Sequence, residues 1–171
     1  MRKKFTSYIV ASIAVGLVGL AVLPSQGRAD APNDMAALAG LQSIKVAFDV
    51  KEGDGKGLLN RLNIIDETRQ SLIKQGVTPH IVIAFRGPAT RLVQTDTEKI
   101  KPEDRPVAAQ IQAKLAEMSR AQGIDSVEQC SLAIRTQGTK AENVSAGIKV
   151  VGNGWISLMA YQAKGYSYIS P

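Results

Sequence analysis

The segment Pro79–Phe85 (PHIVIAF) constrains the fold of this chain more than any other part of the sequence, because nearly every position in it is apolar. A strand with that pattern needs cover on both faces, which is typical of a parallel sheet. Ser43–Val50 (SIKVAFDV) is rich in β-branched and aromatic residues and is predicted to be the first strand. Between them, Lys56–Gln75 carries leucine and isoleucine at helical spacing, and Gly76 suits the end of that helix.

Strands and helices continue to alternate along the rest of the chain. A second long helix is expected from Pro106 to about Gln122. The later elements predicted are, in order, a strand at Ile124–Gln129, a helix at Ser131–Gln137, an extended run at Ile148–Val151, a helix at Trp155–Lys164 and a strand at Tyr166–Ile169. This order predicts an α/β domain with a parallel sheet of four to five strands, helices on both faces and a flavodoxin-like layering.

Two irregular stretches complete the predicted domain. Gln94–Arg105 is polar and charged and contains Pro102, so we expect it to be the most exposed and mobile part of the domain. Thr139, followed three residues later by Glu142, matches a capping box. That pattern predicts one short helical turn with Thr139 as its cap.

The N-terminus has the order of features found in secretory signal peptides. A basic start at residues 2–4 precedes the apolar run Tyr8–Leu23, and small residues follow as far as Ala29 and Ala31. The apolar run is shorter than the roughly 20 residues of a bilayer span, which favours cleavage after Ala29 or Ala31 over an uncleaved membrane anchor. We therefore predict export to the periplasm of a Gram-negative bacterium.

The chain divides into three predicted parts: a signal peptide at 1–29, a linker at 30–42 and the α/β domain at 43–171. The whole chain has 21 Lys and Arg against 15 Asp and Glu, a net charge of +6. Four of the basic residues lie in or beside the signal segment, which leaves 17 against 15 and a net charge of +2. No block of Lys and Arg remains, so no nucleic-acid partner is predicted.

The chain has one cysteine and one histidine. No internal disulfide is possible with a single cysteine, and one chain cannot supply a Cys/His zinc set. No metal site and no cofactor is therefore predicted. The single thiol is either a buried packing residue or a reactive group.

Cys130 is the leading candidate for a reactive residue. It follows the third predicted strand at its carboxyl end, where ligands collect in open α/β sheets, and it directly precedes the helix Ser131–Gln137. The N-terminus of a helix favours the nucleophilic thiolate. Glu128 would point to the same side of the strand and would either disfavour the thiolate or accept its proton. Gln129 and Ser131 are placed to add hydrogen bonds. The alternative is packing, because free cysteine is among the most buried residue types.

His80 and Arg86 are the other two positions that could contribute to a site. His80 begins the second strand whereas Cys130 ends the third, so a parallel sheet places them at opposite edges and a Cys–His hydrolase is rejected. Arg86 follows the second strand at its carboxyl end, where it could hold an anion or a partner carboxylate; an ordinary surface arginine is the alternative.

The remaining features are less specific. The turn at 53–57 (GDGKG) lies between a strand and a helix but lacks the spaced first glycine and the Ser/Thr of a phosphate loop, so a flexible turn is predicted. The aromatic residues near the C-terminus belong either to the core or to a subunit interface; they are Trp155, Tyr161, Tyr166 and Tyr168.

Three segments together resemble the DsrE/DsrF-like sulfur-relay family, and in particular its exported single-domain bacterial members. They are Ala84–Thr90 (AFRGPAT), Val127–Ala133 (VEQCSLA) and Gly147–Ile169 (GIKVVGNGWISLMAYQAKGYSYI), and the resemblance runs from about Ser43 to Ile169. It implies a parallel α/β domain that assembles as a homo-trimer or homo-hexamer. It also implies that Cys130 carries sulfur as a persulfide and passes it to a thiol-bearing protein partner.

The chain departs from that family pattern in two ways. Its predicted signal peptide separates it from the cytoplasmic relay partners, and it has no second cysteine to resolve a persulfide within the chain. Three hypotheses follow. The protein is a sulfur carrier or sulfurtransferase that uses Cys130, or a non-catalytic oligomeric binding or assembly domain with a structural cysteine. The third hypothesis is a binder of small ligands or anions that uses Arg86 and the glycine turns.

Overall fold

Five parallel strands form one sheet in the computed structural model, which describes residues 32–171. The strands are β1 (Ser43–Val50), β2 (Thr78–Phe85), β3 (Ile124–Cys130), β4 (Lys149–Val151) and β5 (Ser167–Ile169). Their order across the sheet is β4-β3-β2-β1-β5, and every neighbouring pair is parallel. The predicted α/β class and the parallel sheet are therefore confirmed.

Helices connect the strands. They are α1 (Met35–Leu38), α2 (Gly55–Lys74), α3 (Arg105–Met118), α4 (Ser131–Gln137) and α5 (Gly154–Ala163), with short 3-10 helices at Gly87–Arg91, Pro102–Asp104 and Ala141–Asn143. The chain steps from β1 to β2 to β3 in one direction, which puts α2 and α3 on the same face. It continues to β4 at the edge of the sheet and then returns past β1 to β5 at the other edge. That reversal puts α5, which connects β4 to β5, on the opposite face.

The two faces of the sheet carry different side chains because neighbours along a strand alternate in direction. Towards α2 and α3 the strands present large apolar residues, and these form the main core; among them are Phe48, Ile81, Ile83 and Phe85. Towards α5 they present small ones, Ala47, Val82 and Ala84, which pack with Leu158. The α5 face also holds buried carboxylates, and this is the face on which the candidate site lies.

Several predicted boundaries are confirmed to the residue. β1 and α4 begin and end as expected, and α4 stops at Gly138, whose φ of 65° lies in the left-handed region that glycine favours. The predicted helix to Gln122 is four residues too long, because α3 ends at Met118. Those residues form the turn into β3 instead. Gly123, with a φ of 86°, packs against Pro79 of β2 and directly precedes β3.

Most residues of Gln94–Arg105 are exposed, as expected, but three of them are buried in the fold. Gln94, Ile100 and Asp104 are buried, and Asp104 Oδ1 accepts the Gly55 backbone N–H at 2.7 Å. This carboxylate therefore fixes the segment to the first turn of α2. The short helical turn predicted after Thr139 does form, at Ala141–Asn143, but its capping box was wrong. The turn at Ala141–Asn143 starts after Lys140 with no side-chain cap, because the Thr139 hydroxyl donates instead to the Ile134 carbonyl.

The predicted linker is partly folded. Residues 35–38 form the helical turn α1, and the Asp34 N–H donates to Gln75 Oε1 at the end of α2 (3.0 Å). The signal peptide predicted at 1–29 lies outside the described residues. Within residues 32–171, no helix is long and apolar enough to cross a membrane.

A buried ion pair joins α2 to α3. Asp66 accepts hydrogen bonds from Lys114 Nζ (2.6 Å), Arg69 Nε (2.8 Å) and Gln70 Nε2 (2.9 Å). Burial alone would raise the pKa of Asp66, but the hydrogen bonds and charges of Lys114 and Arg69 outweigh it and hold that pKa below its usual range. Stability from this carboxylate is therefore present above its unfolded pKa of about 3.9 and is lost as the pH falls through the lowered folded value.

We expect Asp66→Asn to lower the free energy of unfolding by about 3 kcal/mol at pH 7, because it leaves Lys114 without its buried counter-charge. The difference from wild type should shrink in acid, because the unfolded carboxylate binds a proton below about pH 3.9 and the stabilisation from the native ion pair then declines. Urea unfolding at pH 7 and pH 3 measures both. Glu117→Gln is the matched control, because Glu117 also pairs with Lys114 but is exposed, and its loss should cost under about 1 kcal/mol. Equal losses for the two variants would contradict the assignment.

Candidate functional site

Cys130 lies at the carboxyl end of β3, next to the first turn of α5. Its Sγ accepts the backbone N–H of Gly154, the first residue of that helix, at 3.2 Å. The side chain of Asn153 caps the same helix by accepting the Trp155 N–H at 2.9 Å. Backbone N–H groups at a helix start carry partial positive charge and favour an anion beside them. The thiol therefore lies where negative charge on sulfur is stabilised.

The helix that provides this contact differs from the predicted one. Cys130 is indeed the residue before α4, but its side chain makes no capping hydrogen bond to α4. The thiol is directed across the sheet face to α5 instead. Sequence proximity pointed to the helix that follows Cys130, whereas the direction of its side chain on β3 selects the helix that covers that face.

A buried salt bridge lies next to the thiol. Arg86, directly after β2, donates from Nε to Asp49 Oδ1 at 2.7 Å and from Nη2 to Asp49 Oδ2. Tyr168 of β5 donates its hydroxyl to the same carboxylate at 2.7 Å, and Lys51 lies 3.6 Å away. Asp49 is fully buried. The predicted carboxylate partner of Arg86 is therefore Asp49, and the pair joins three neighbouring strands of the sheet.

The charges of this pair reinforce each other. Burial alone would raise the pKa of Asp49, but hydrogen bonds from Arg86 and Tyr168 and the charges of Arg86 and Lys51 hold it below its usual range. Burial likewise would lower the pKa of Arg86, and the hydrogen bond and charge of Asp49 raise it. Both groups stay ionised across the physiological range, so Arg86 is a fixed cation beside Cys130.

Arg86 and Cys130 line the same small cavity. Its volume is about 160 Å³, and its other walls are Gly87, Leu132, Ala133, Thr136, Asn153 and Trp155. The indole of Trp155 lies 5.4 Å from the Arg86 guanidinium carbon and is 62% exposed, whereas Cys130 is only 5% exposed. The cavity is thus the approach to a thiol that the protein surface otherwise covers.

Glu128 is on the same face as Cys130, as its spacing on the strand predicted. Three hydroxyl groups donate to its carboxylate: Ser126 (3.0 Å), Tyr161 (2.9 Å) and Ser157. Burial and the hydrogen bond to Glu128 raise the pKa of Tyr161. Because its oxygens are already taken up by these donors, Glu128 fastens α5 to the sheet and is not free to take a proton from the thiol.

The other residues proposed from the sequence lie elsewhere. His80 contacts Asp125 at 3.3 Å near the amino ends of the strands, at the opposite edge from Cys130. Gln129 points to the other face, where its amide donates to Thr90 Oγ1 at 2.8 Å and makes no bond to the thiol. Ser131 is the half-buried first residue of α4. Cys130 and Arg86 therefore meet at one site, whereas His80 lies at the opposite edge of the sheet and Gln129 on its opposite face.

The glycine turn at 53–57 serves the start of α2. Asp54 caps the helix by accepting the Gly57 N–H at 2.6 Å, and the Gly55 N–H goes to Asp104. These N–H groups are therefore occupied by carboxylates of the chain itself. Within residues 32–171, no three His, Cys, Asp or Glu side chains are grouped so that they could hold a metal ion.

The C-terminal tyrosines share one role. Tyr161, Tyr166 and Tyr168 each donate to a carboxylate of the sheet: Glu128, Asp125 and Asp49 respectively. Burial, followed by the hydrogen bond to Asp125, raises the pKa of Tyr166 to about 12. Tyr161 and Tyr166 also pack in the smaller core, while Trp155 is largely exposed. The core alternative predicted for the aromatic residues therefore holds for Tyr161 and Tyr166, and the interface alternative stays a prediction for Trp155.

Sequence reasoning did not find Asp49, Gly154 or Tyr168. Asp49 carried a detectable signal, since it is a carboxylate near the end of an otherwise apolar part of β1, where an unpaired charge would be costly. Gly154 carried none. A Cβ there would lie 2.7 Å from Arg86 Cδ and 3.1 Å from Cys130 Cβ, so only glycine lets both side chains reach the backbone of α5.

The comparisons with known proteins bear on the fold of this parallel α/β domain. No family model matches the chain. An uncharacterized protein of Aquifex aeolicus is 27% identical over 126 residues, which are 74% of this chain and 55% of that protein. The chain thus spans about half the length of this relative.

A solved structure gives the fold comparison. A protein of unknown function from Methanobacterium thermoautotrophicum matches 75% of this chain and 99% of its own, with a TM-score of 0.57 and 20% identity. At that identity the match shows the α/β fold.

We expect Gly154→Ala to lower the free energy of unfolding by about 1–3 kcal/mol, because the added methyl overpacks against Arg86 and Cys130. Gly152→Ala is the control, since no atom lies within 4 Å of a Cβ there, and its effect should stay within about 0.5 kcal/mol. Urea unfolding of both variants makes the comparison. A Gly154→Ala protein as stable as wild type would show that the contact between α5 and the site is loose.

Proposed function

We propose that the protein is an exported, DsrE-like sulfur carrier or sulfurtransferase in which Cys130 holds sulfane sulfur as a persulfide. The observation that supports this proposal is the contact of Cys130 Sγ with the N-terminal N–H of α5 beside a cavity walled by Arg86. A persulfide is more acidic than a thiol and is an anion at neutral pH. The N–H and the guanidinium are the groups that would stabilise that charge.

The proposed reaction needs no oxidant and no general base. The Cys130 thiolate attacks the outer sulfur of a donor R–S–S⁻, the donor S–S bond breaks, and R–S⁻ leaves while Cys130–S–S⁻ forms. The transferred sulfur keeps its oxidation state, and the thiol proton is lost to solvent before the attack. An acceptor thiolate then takes the outer sulfur in the same way and regenerates Cys130.

The arrangement suits this chemistry better than hydrolysis. The donors around Glu128 occupy its carboxylate, and His80 lies at the far edge of the sheet. Among residues 32–171, no side chain near Cys130 is therefore placed to activate water. Sulfur transfer requires only a thiolate and an approach for the donor. Because the chain has one cysteine, release must use a thiol of another molecule.

The first test is the intact mass of the purified mature protein after incubation with a sulfane-sulfur donor, with and without a reductant. We expect a gain equal to one sulfur atom that the reductant removes and that Cys130→Ser lacks. An unchanged mass, with Cys130 unreactive until the protein is denatured, would refute the sulfur-carrier proposal.

The second candidate is a non-catalytic assembly domain. Two observations favour it: Cys130 is almost fully buried, and α5 presents a row of exposed apolar side chains, Trp155, Ile156 and Met159. Contiguous exposed apolar side chains are typical of protein interfaces. This surface would support the homo-trimer or homo-hexamer that the family resemblance implies. Cys130 then serves as packing under the first turn of α5.

We expect Met159→Lys to shift the protein from an oligomer to a monomer in sedimentation velocity, because a charge in the centre of an apolar interface is desolvated without a partner. Ile73→Lys is the control, since Ile73 is an exposed apolar residue on α2, away from this surface. A wild-type chain that sediments as a monomer at all concentrations would exclude assembly through α5.

A further inference from the structure

We propose that Arg86, held in place by Asp49, makes the cavity beside Cys130 selective for small anionic sulfane-sulfur donors of the thiosulfate type. This inference rests on the proposed function and names its substrate class. It also places Asp49 as a positioning residue, since Asp49 acts through Arg86 and is itself fully buried.

The guanidinium is fixed by its neighbours on several sides. Its Nε and Nη2 groups donate to Asp49, and the Tyr168 hydroxyl donates to the same carboxylate. The Trp155 ring covers the guanidinium at 5.4 Å, and the aliphatic stem lies against Gly154. A paired arginine with so little freedom acts as a preorganised charge. Because Asp49 uses only Nε and Nη2, the Nη1 edge remains for a ligand.

The cavity combines this cation with apolar walls. Leu132, Ala133 and Trp155 surround the approach to the thiol, and its volume of about 160 Å³ limits the occupant to a few heavy atoms. A thiosulfate ion fits the size, presents a soft sulfur to the thiol and carries charged oxygens that an arginine recognises.

The reaction with such a donor balances without further reagents. The Cys130 thiolate attacks the outer sulfur of S–SO3²⁻, the S–S bond breaks, and sulfite leaves with the electron pair. The products are Cys130–S–S⁻ and SO3²⁻, so the total charge is unchanged. Arg86 stabilises the anionic donor as it enters and the sulfite as it leaves, while the Gly154 N–H faces the cysteine sulfur.

The test compares two alkylating agents of nearly equal size, anionic iodoacetate and neutral iodoacetamide, for their rates with Cys130 in the whole mature protein. A change in the thiolate fraction of Cys130, or in general access to it, alters both rates equally and cancels in their ratio. A merely structural role of Arg86 would therefore leave the ratio unchanged. We expect the ratio of the iodoacetate rate to the iodoacetamide rate to fall by about threefold or more when the guanidinium charge is removed. The same ratio should fall in wild type at high salt.

The variants are chosen to stay folded. Arg86→Gln alone would leave Asp49 buried without its counter-charge, so the main variant is Arg86→Gln with Asp49→Asn, which keeps a neutral hydrogen-bonded pair. Arg86→Lys keeps the charge and should retain most of the ratio. Arg135→Gln is the matched control, because Arg135 is an exposed residue of α4 that does not line the cavity, and its ratio should match wild type.

A second arm measures the rate at which Cys130 gains sulfane sulfur from two donors. Thiosulfate gives Cys130–S–S⁻ with loss of sulfite, and a neutral dialkyl trisulfide, attacked at its central sulfur, gives Cys130–S–S–S–R with loss of an alkanethiolate. We expect the double variant to lose rate with thiosulfate at least threefold more than with the trisulfide. An alkylation ratio unchanged in the double variant would overturn the role of Arg86, even if the wild type carries sulfur. Conversely, a fall in the alkylation ratio with no sulfur loading from either donor would refute the sulfur-carrier proposal and leave a cavity that prefers anions.

Discussion

The carboxyl edge of the sheet is organised by the buried pair of Asp49 and Arg86. A carboxylate with no exposed surface is tolerated only if its charge is balanced, and here one arginine and one tyrosine satisfy it. The two side chains come from β1 and the end of β2, and Tyr168 brings in β5. The same contacts that balance the charge therefore align three strands and hold a cation next to Cys130.

The asymmetry between the two faces of the sheet explains why the site is on one of them. The large side chains facing α2 and α3 make the main hydrophobic core. On the other face, small side chains such as Ala47 and Ala84 let α5 approach closely. Polar groups then share that layer, each satisfied by a partner: Glu128 by three hydroxyls and Asp49 by Arg86. Fixed polar partners are what give α5 one position over Cys130.

Gly154 connects the helix to the site. With no Cβ, it admits the Arg86 stem and the Cys130 side chain to the first turn of α5 and offers its N–H to the sulfur. The thiol and the guanidinium thus face one cavity from two strands, with the helix start between them. This combination of one nucleophile, one fixed cation and a small approach is the basis for proposing that the site handles anionic sulfur compounds.

The sequence by itself determined the local elements and the position of Cys130 at a strand end. Apolar strands, a glycine-ended helix and strand–helix alternation are patterns of neighbouring residues, and β1, α4 and the parallel sheet followed from them. Only the tertiary structure decided which groups meet at the site. Arg86 and Asp49 are 37 residues apart, Gly154 and Cys130 are 24 apart, and Tyr168 and Asp49 are 119 apart. Such contacts depend on strand order and on the reversal that carries α5 to the second face, which no local pattern encodes. For that reason the thiol was expected at the N-terminus of α4, the helix that follows it, whereas the fold places it at the N-terminus of α5.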